Sequence, residues 1–326
     1  MKILLICLTL LLSSGFMAPP SFAKETFQIG VFAYRPVPVM EARWQHLETY
    51  LEQQITDSEF ELHILDLEQL EQGVQQNRFD FVFTNPHHFI QLRNKYPLSG
   101  ALGTLVRLED GHPVSALGGV IFTLAGNDEV NQLTDLPQQR IASPGQAFLG
   151  GYQAQLYELQ QAGINIGDLD IRFTGPPHDR VIEFLRSGQA DVGFVRSSAL
   201  EQMIAEGKLR LDEIKVINPQ RLSDYPFLIS TRLYPEWPFV ALPKVREETA
   251  RKVASAILAL DPVHDVSRRI GISGFTVPAD YLPVEQGMRG LKLAPFDIEN
   301  DVSFSQIWEQ HHNLIIALIF ASALIF

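Results

Sequence analysis

The chain has 326 residues, a formal charge of −12 and a single cysteine, and 46% of its residues are hydrophobic. That length holds one large domain or two smaller ones. With an acidic balance and no basic stripe, nucleic acid is excluded as a partner class, and one cysteine excludes disulfides and cysteine metal sites.

At the start, Lys2 precedes a short apolar run, and small residues lead to Ser21-Phe22-Ala23. That pattern is a charged n-region, an h-region and a cleavage site, so residues 1–23 are expected to be a signal peptide. A retained membrane anchor is the alternative, disfavoured because the run is short for a span. Loss of the leader removes Cys7, and thiolate chemistry with it.

From residue 27 the pattern alternates strand and helix. Residues 27–33 read as a strand. Met40, Trp44, Leu47, Leu51 and Ile55 then share one helix face. Residues 60–65 alternate as a strand, 67–76 read as a helix and 81–83 as a buried strand. Pro86 opens a helix to about Lys95, at a position where its missing N–H costs nothing. Apolar segments 101–108 and 115–124 follow, separated by the turn Asp110-Gly111-His112-Pro113; they read as strands linking two lobes. The rhythm resumes with strand 140–142 and helix 149–163, strand 170–173 and helix 178–187, and strand 191–195 and helix 198–206. In the last helix, Ser198 and Glu201 have capping-box spacing. Strand 214–217, strands at 227–231 and 238–241, and a helix over 245–260 complete the series. These elements predict an α/β fold with mostly parallel sheets. No flexible linker separates the halves, which suggests a hinged clamp.

Residues 313–326 are almost wholly apolar. A span needs roughly 17–25 such residues. The reading is the start of a transmembrane helix, truncated, after a connector at 291–312; a packed terminal helix is the alternative. An exported start with a C-terminal span places the chain between them outside the membrane.

Ligands of open α/β sheets bind at strand carboxyl ends. The candidate ligand-binding residues there are Tyr34, Arg35, Asn85, His87, Phe148, Gly150, Gly151, Tyr152, Thr174, His178, Arg196, Ser197, Ser230 and Arg232. Hydroxyls, amides and guanidinium forks suit a small oxyanion, and loops that enter helices add free N–H donors. Bland readings stand beside these. Arg196 and Arg232 are also candidates for ordinary salt bridges. Asn85 and His178 suit helix caps. Tyr34 and Tyr152 suit core positions. Adjacent His87 and His88 point apart on a helix, so a shared metal ion is disfavoured. No cofactor is indicated, and no nucleophile–base or metal constellation suggests an enzyme.

Taken together, Ile29-Gly30-Val31 with Trp44 downstream, and segments 80–87, 118–123, 148–153, 172–175, 190–196 and 230–238, resemble the phosphate/phosphonate-binding-like family of type II periplasmic binding proteins. More narrowly, they resemble the input domains of sensor histidine kinases of the tetrathionate-sensor type. The resemblance runs from about residue 27 to 290. It implies a two-lobed fold with a crossed hinge, helices on both faces of two mixed sheets, lobe one at 27–115 plus 218–290, and lobe two at 116–217. Ligand would lie between the lobes. The implied function is a periplasmic sensor of a small oxyanion, held to the inner membrane by its C-terminal helix and signalling to a kinase module or homodimer partner. The alternative is a transport protein for phosphate- or phosphonate-like anions. The hydroxyl-rich loop of phosphonate binders is replaced here by 148–152, Phe-Leu-Gly-Gly-Tyr.

Overall fold

The computed structural model describes residues 24–33 and 35–297, with residues 312 and 316. The signal peptide, Tyr34, nearly all of the connector beyond 297 and the apolar C-terminus lie outside the described residues. Among those described, no helix is long and apolar enough to cross a membrane.

The chain builds two large sheets. The first holds β1 (Glu25–Phe32), β2 (Ser58–Leu65), β3 (Phe81–Phe83), β4 (Gly100–Glu109), β5 (His112–Val114), β13 (Pro238–Ala241) and β14 (Ile272–Thr276). Its order is β14-β4-β13-β3-β1-β2, with β5 paired to β4. The second holds β7 (Gly119–Leu124), β8 (Arg140–Ser143), β9 (Asp170–Phe173), β10 (Val192–Arg196) and β11 (Ile214–Ile217), in the order β11-β7-β10-β8-β9. Between them, β6 (Ala116–Leu117) and β12 (Tyr234–Pro235) cross as an antiparallel pair. The chain therefore enters the five-stranded half once and leaves it once.

Helices cover the sheets. In the seven-stranded half these are α1 (Val37–Gln54), α2 (Leu67–Gln75), α3 (Pro86–Lys95), α7 (Glu247–Leu258) and α8 (Asp265–Ile270). The five-stranded half has α4 (Ala154–Gln161), α5 (Asp179–Arg186) and α6 (Ala199–Ala205), and α9 (Leu282–Gly290) lies against both halves. Proline at the first turn starts α1 without wasting an N–H. Met40, Trp44, Leu47, Tyr50 and Leu51 form its buried stripe and pack on Phe81, Phe83 and Phe239. Asn85 caps α3 by accepting from the His88 N–H. On α9, Val284 and Met288 are buried with Phe89 and Ile90 from α3 and Ala154 from α4. The Gln160 amide also donates to the Gly290 carbonyl at 2.8 Å.

Four expectations are corrected. The sheets are mixed, as the resemblance implies, yet antiparallel pairings (β4, β5, β7, β11, β13 and β14) outnumber the parallel ones set by β1–β3 and β8–β10. The reason is that strands on either side of the hinge return without a helical crossover. Residues 227–231 form no strand; instead Ser230 N–H reaches the Gly119 carbonyl and Ile229 accepts from Gln220. Ser198 makes no side-chain cap. It sits left-handed at φ 70°, and the Glu201 carboxylate accepts from the Leu228 N–H. The predicted 149–163 helix opens with one wide turn at Leu149–Gln153 before α4 begins. Elements α8, β14 and α9, beyond residue 260, had no counterpart in the sequence reading.

Candidate ligand site between the halves

The loop after β8 is tied to the helix that follows it. Ser143, fully buried, donates to the Gly151 carbonyl at 2.9 Å. A Cβ on Gly150 would lie 2.8 Å from Arg196 Cβ and 2.9 Å from the Gly118 carbonyl. A Cβ on Gly151 would lie 2.7 Å from Pro144 Cγ and 2.8 Å from His178 Cε1. The Gly-Gly pair thus lets the wide turn press between β10, the β8 loop and His178. Gln155, fully buried beneath it, donates to the Gly150 carbonyl at 2.8 Å and the Val195 carbonyl at 2.9 Å.

Across the gap, α3 presents His87. Its Nδ1 lies 2.9 Å from Gln153 Oε1, and Gln153 in turn donates to the Gln146 carbonyl at 2.8 Å. One hydrogen-bond chain therefore runs from the seven-stranded half into the loop of the other half. His88 turns the opposite way, with Nδ1 2.9 Å from Thr84 Oγ1. Burial holds His88 down at about 4 and also lowers His87.

His178 packs edge-on against Phe148, with ring centroids 5.8 Å apart. Its Nδ1 is buried without a partner among the described residues, and it makes no cap bond to α5. Burial, then the Arg196 guanidinium, push its pKa down to about 4, so the ring is neutral near pH 7. A neutral ring offers a ligand one donor and one acceptor.

Arg196 ends β10 and is half-buried. It meets Glu236 at 3.0 Å and Glu109 at 3.6 Å. Glu236 is fully buried and its Oε2 has no partner among the described residues. Glu109 is also held by Arg107 at 2.5 Å, and its neighbouring guanidinium groups keep its pKa low against the opposing effect of burial, which is the largest single influence. These ion pairs join the end of β4, the end of β10 and the β12–β13 link, which is the hinge. Sequence reasoning named Arg196 but neither carboxylate. Their signal was position: Glu109 closes β4, and Glu236 follows β12.

The other candidates separate by role. Ser197 Oγ accepts from the Gly118 N–H at 3.0 Å and pairs with Tyr225 Oη at 2.5 Å. Ser230 Oγ accepts from Ile121 N–H at 2.9 Å and donates to Ile217 at 2.7 Å. Both hydroxyls are fully buried and occupied by the hinge backbone. Arg232 lies exposed over the Tyr157 ring at 4.9 Å and pairs with Glu158 at 3.3 Å. Tyr152 packs on Phe173, and Thr174 donates to the Gly175 carbonyl. Arg35 is exposed and lines a pocket in the seven-stranded half together with Arg107, which shares Glu109 with Arg196. The fold brings His87, Phe148, Gly150, Gly151, His178 and Arg196 together. Arg35, Ser230 and Arg232 make no hydrogen bond or ion pair with these six residues among those described. Gln153, missed from the sequence, is the bridge.

Residues 29–281 match the family described as the periplasmic substrate-binding protein of the phosphonate ABC transporter. The chain belongs to this family. It is 32% identical over 252 residues to the tetrathionate sensor histidine kinase TtrS of Salmonella typhimurium, an alignment covering 77% of this chain and 42% of that one. The chain thus spans less than half the length of this curated relative. Among solved structures, PhnD1 from Prochlorococcus marinus in complex with methylphosphonate superposes with TM-score 0.60 at 19% identity, covering 82% of this chain and 98% of that one. XAC2383 from Xanthomonas citri bound to ATP gives TM-score 0.64 at 13% identity, covering 83% of this chain and all of that one. At these identities the structures share the fold, a type II periplasmic binding protein. The protein is therefore a periplasmic solute-binding domain related to a sensor kinase and to phosphonate binders.

Proposed function

We propose that this chain is the periplasmic input domain of a tetrathionate-sensor-like histidine kinase that closes on a small oxyanion. The observation that carries the reading is the 32% identity to TtrS along 77% of the chain. In this reading residues 27–115 and 218–290 form one lobe and 116–217 the other, and the ligand lies beside His87, Phe148, Gly150, Gly151, His178 and Arg196. The unpartnered His178 nitrogen and the Arg196 guanidinium supply contacts an oxyanion can use. The loop donors act locally against a net charge that repels anions at long range. Residues 313–326 would begin the membrane helix that carries closure to a kinase module. The domain itself performs no catalysis.

The second reading is a transport protein for phosphonate-like anions, favoured by the description of the matched family. Calorimetry and thermal melting of the purified full chain with tetrathionate, thiosulfate, methylphosphonate and phosphate separate the two. A melting rise with tetrathionate and none with methylphosphonate supports the sensor. The reverse supports the transporter. A rise only with amines or apolar compounds refutes both.

A further inference from the structure

Gln153 joins α3, the wide turn and the β8 loop through one buried amide. It is 4% exposed and ends the wide turn at Leu149–Gln153. Its Nε2 donates to the Gln146 carbonyl at 2.8 Å, and its Oε1 lies 2.9 Å from His87 Nδ1 on α3. Chemistry fixes both ends of the amide. A backbone carbonyl only accepts, so the N–H group turns toward Gln146 and the oxygen toward His87. His87 Nδ1 therefore carries a proton, in the neutral ring and in the charged ring alike. Leu149 and Ala154, on either side of the turn, belong to the apolar cluster that holds Phe89 and Ile90 of α3. The polar bond thus sits beside an apolar contact between the two halves.

The loop that Gln153 holds has few other ties among the described residues. Gly145 N–H reaches Ser143 Oγ at 3.4 Å, Phe148 N–H reaches the Gly145 carbonyl at 3.2 Å, and the Phe148 carbonyl accepts from the Gln153 N–H at 3.2 Å. The side-chain bond to Gln146, at 2.8 Å, is shorter than all three. Gln146 and Ala147 are exposed, so packing does not replace that bond if it is lost. At the end of the loop, Phe148 lies against His178. The place of the loop in one half therefore depends on a side chain whose own orientation is set by His87 from the other half. When His87 withdraws, Oε1 loses its donor in a nearly water-free position, and the amide is released to turn away from Gln146.

We propose that Gln153 is a positioning residue that relays contact between the halves to the 145–148 loop. The inference rests on the reading of the cleft as the ligand site and adds its regulation: closure of the halves and placement of the loop become one event. A ligand that favours the placed loop then favours the closed halves, and closure favours the ligand by the same factor.

Hydrogen exchange of the purified full chain, without ligand, is the first test. His87→Ala removes the donor on α3. Amides 145–149, in the other half, are expected to exchange about three- to tenfold faster, the scale of one neutral hydrogen bond. His87→Asn places an amide N–H near the position of Nδ1 and should restore the parental rate, which a space-filling role for His87 would not do. Unchanged exchange in His87→Ala, or equal acceleration in His87→Ala and His87→Asn, overturns the relay. Tetrathionate and methylphosphonate then probe the regulation. Gln153→Leu keeps the bulk and removes both side-chain bonds. It should weaken whichever anion binds the parent about tenfold, mostly through faster dissociation. Parental affinity in Gln153→Leu refutes the relay and leaves the cleft reading standing. If neither anion binds the parent, the cleft reading fails, and the exchange rates alone decide the relay.

Discussion

Glu236→Gln tests the hinge directly. The change keeps the shape of a fully buried side chain and removes its charge. At 3.0 Å from Arg196, and with an effective dielectric of about 20, the attraction lost is about 5 kcal/mol. Part of this is offset, because a buried carboxylate no longer has to be stripped of water. Arg196 is also 21% exposed and keeps Glu109 at 3.6 Å, so it is not left alone. The net destabilisation should be about 2 kcal/mol, below the roughly 3–5 kcal/mol of breaking a fully buried pair, because Arg196 keeps a second carboxylate and some exposure. For a domain this large that is a fall in melting temperature of about 4–8 °C. Scanning calorimetry at neutral pH measures it, and Arg196→Met supplies the partner for a double-mutant cycle. The double variant should lose less than the two single losses summed, by at least about 0.5 kcal/mol. A Glu236→Gln protein that melts at or above the parent temperature, or strictly additive variants, would refute the idea that this pair holds the hinge.

Gly151→Ala should lower stability by about 1–3 kcal/mol in urea unfolding, because its Cβ would meet Pro144 and His178 below 3 Å. An unchanged midpoint would mean the β8 loop yields freely. His178 and His88 are each held at about 4, below their unfolded value near 6.5, so the unfolded chain binds more protons between those limits. Stability should be full above about pH 6.5 and fall as pH drops toward 4, with a shallower fall in His178→Gln; equal slopes for parent and variant would contradict this. Arg232→Ala should cost about 1 kcal/mol or less and leave anion binding intact, since Arg232 is itself exposed and makes one ion pair and one ring contact. A large loss of affinity would return Arg232 to the ligand site.

Periodicity made most of the fold legible. The stripe from Met40 to Leu51 and the short buried strand at 81–83 could be placed because helix and strand periods are local properties. The 227–231 segment misled for the same reason. Phe227, Leu228 and Ile229 are apolar enough for a strand, but their N–H and C=O groups are spent on Glu201, Gln220 and the hinge. Strand direction was also hidden, because β4, β13 and β14 acquire antiparallel partners from segments distant in sequence. At the candidate site, counting residues after each strand singled out Arg196, His178 and the Gly-Gly turn, which the fold brings together. It could not sort hydroxyls that face a cleft from those, like Ser197 and Ser230, that replace missing ladder bonds. Nor could it foresee Gln153, whose partner His87 is 66 residues away and in the other half.

Helix α9 touches α3 on one side and α4 on the other, so it works as a friction plate between the two halves. Any change in the angle between α3 and α4 has to be absorbed as slip along one of its faces. Its apolar side, Val284 and Met288, slides cheaply, whereas its polar grips do not: Glu285 to Arg93 on α3, and the Gly290 carbonyl to Gln160 on α4. Whichever grip yields first decides which half the helix rides with, and residues 291–297, which follow it directly, are carried the same way.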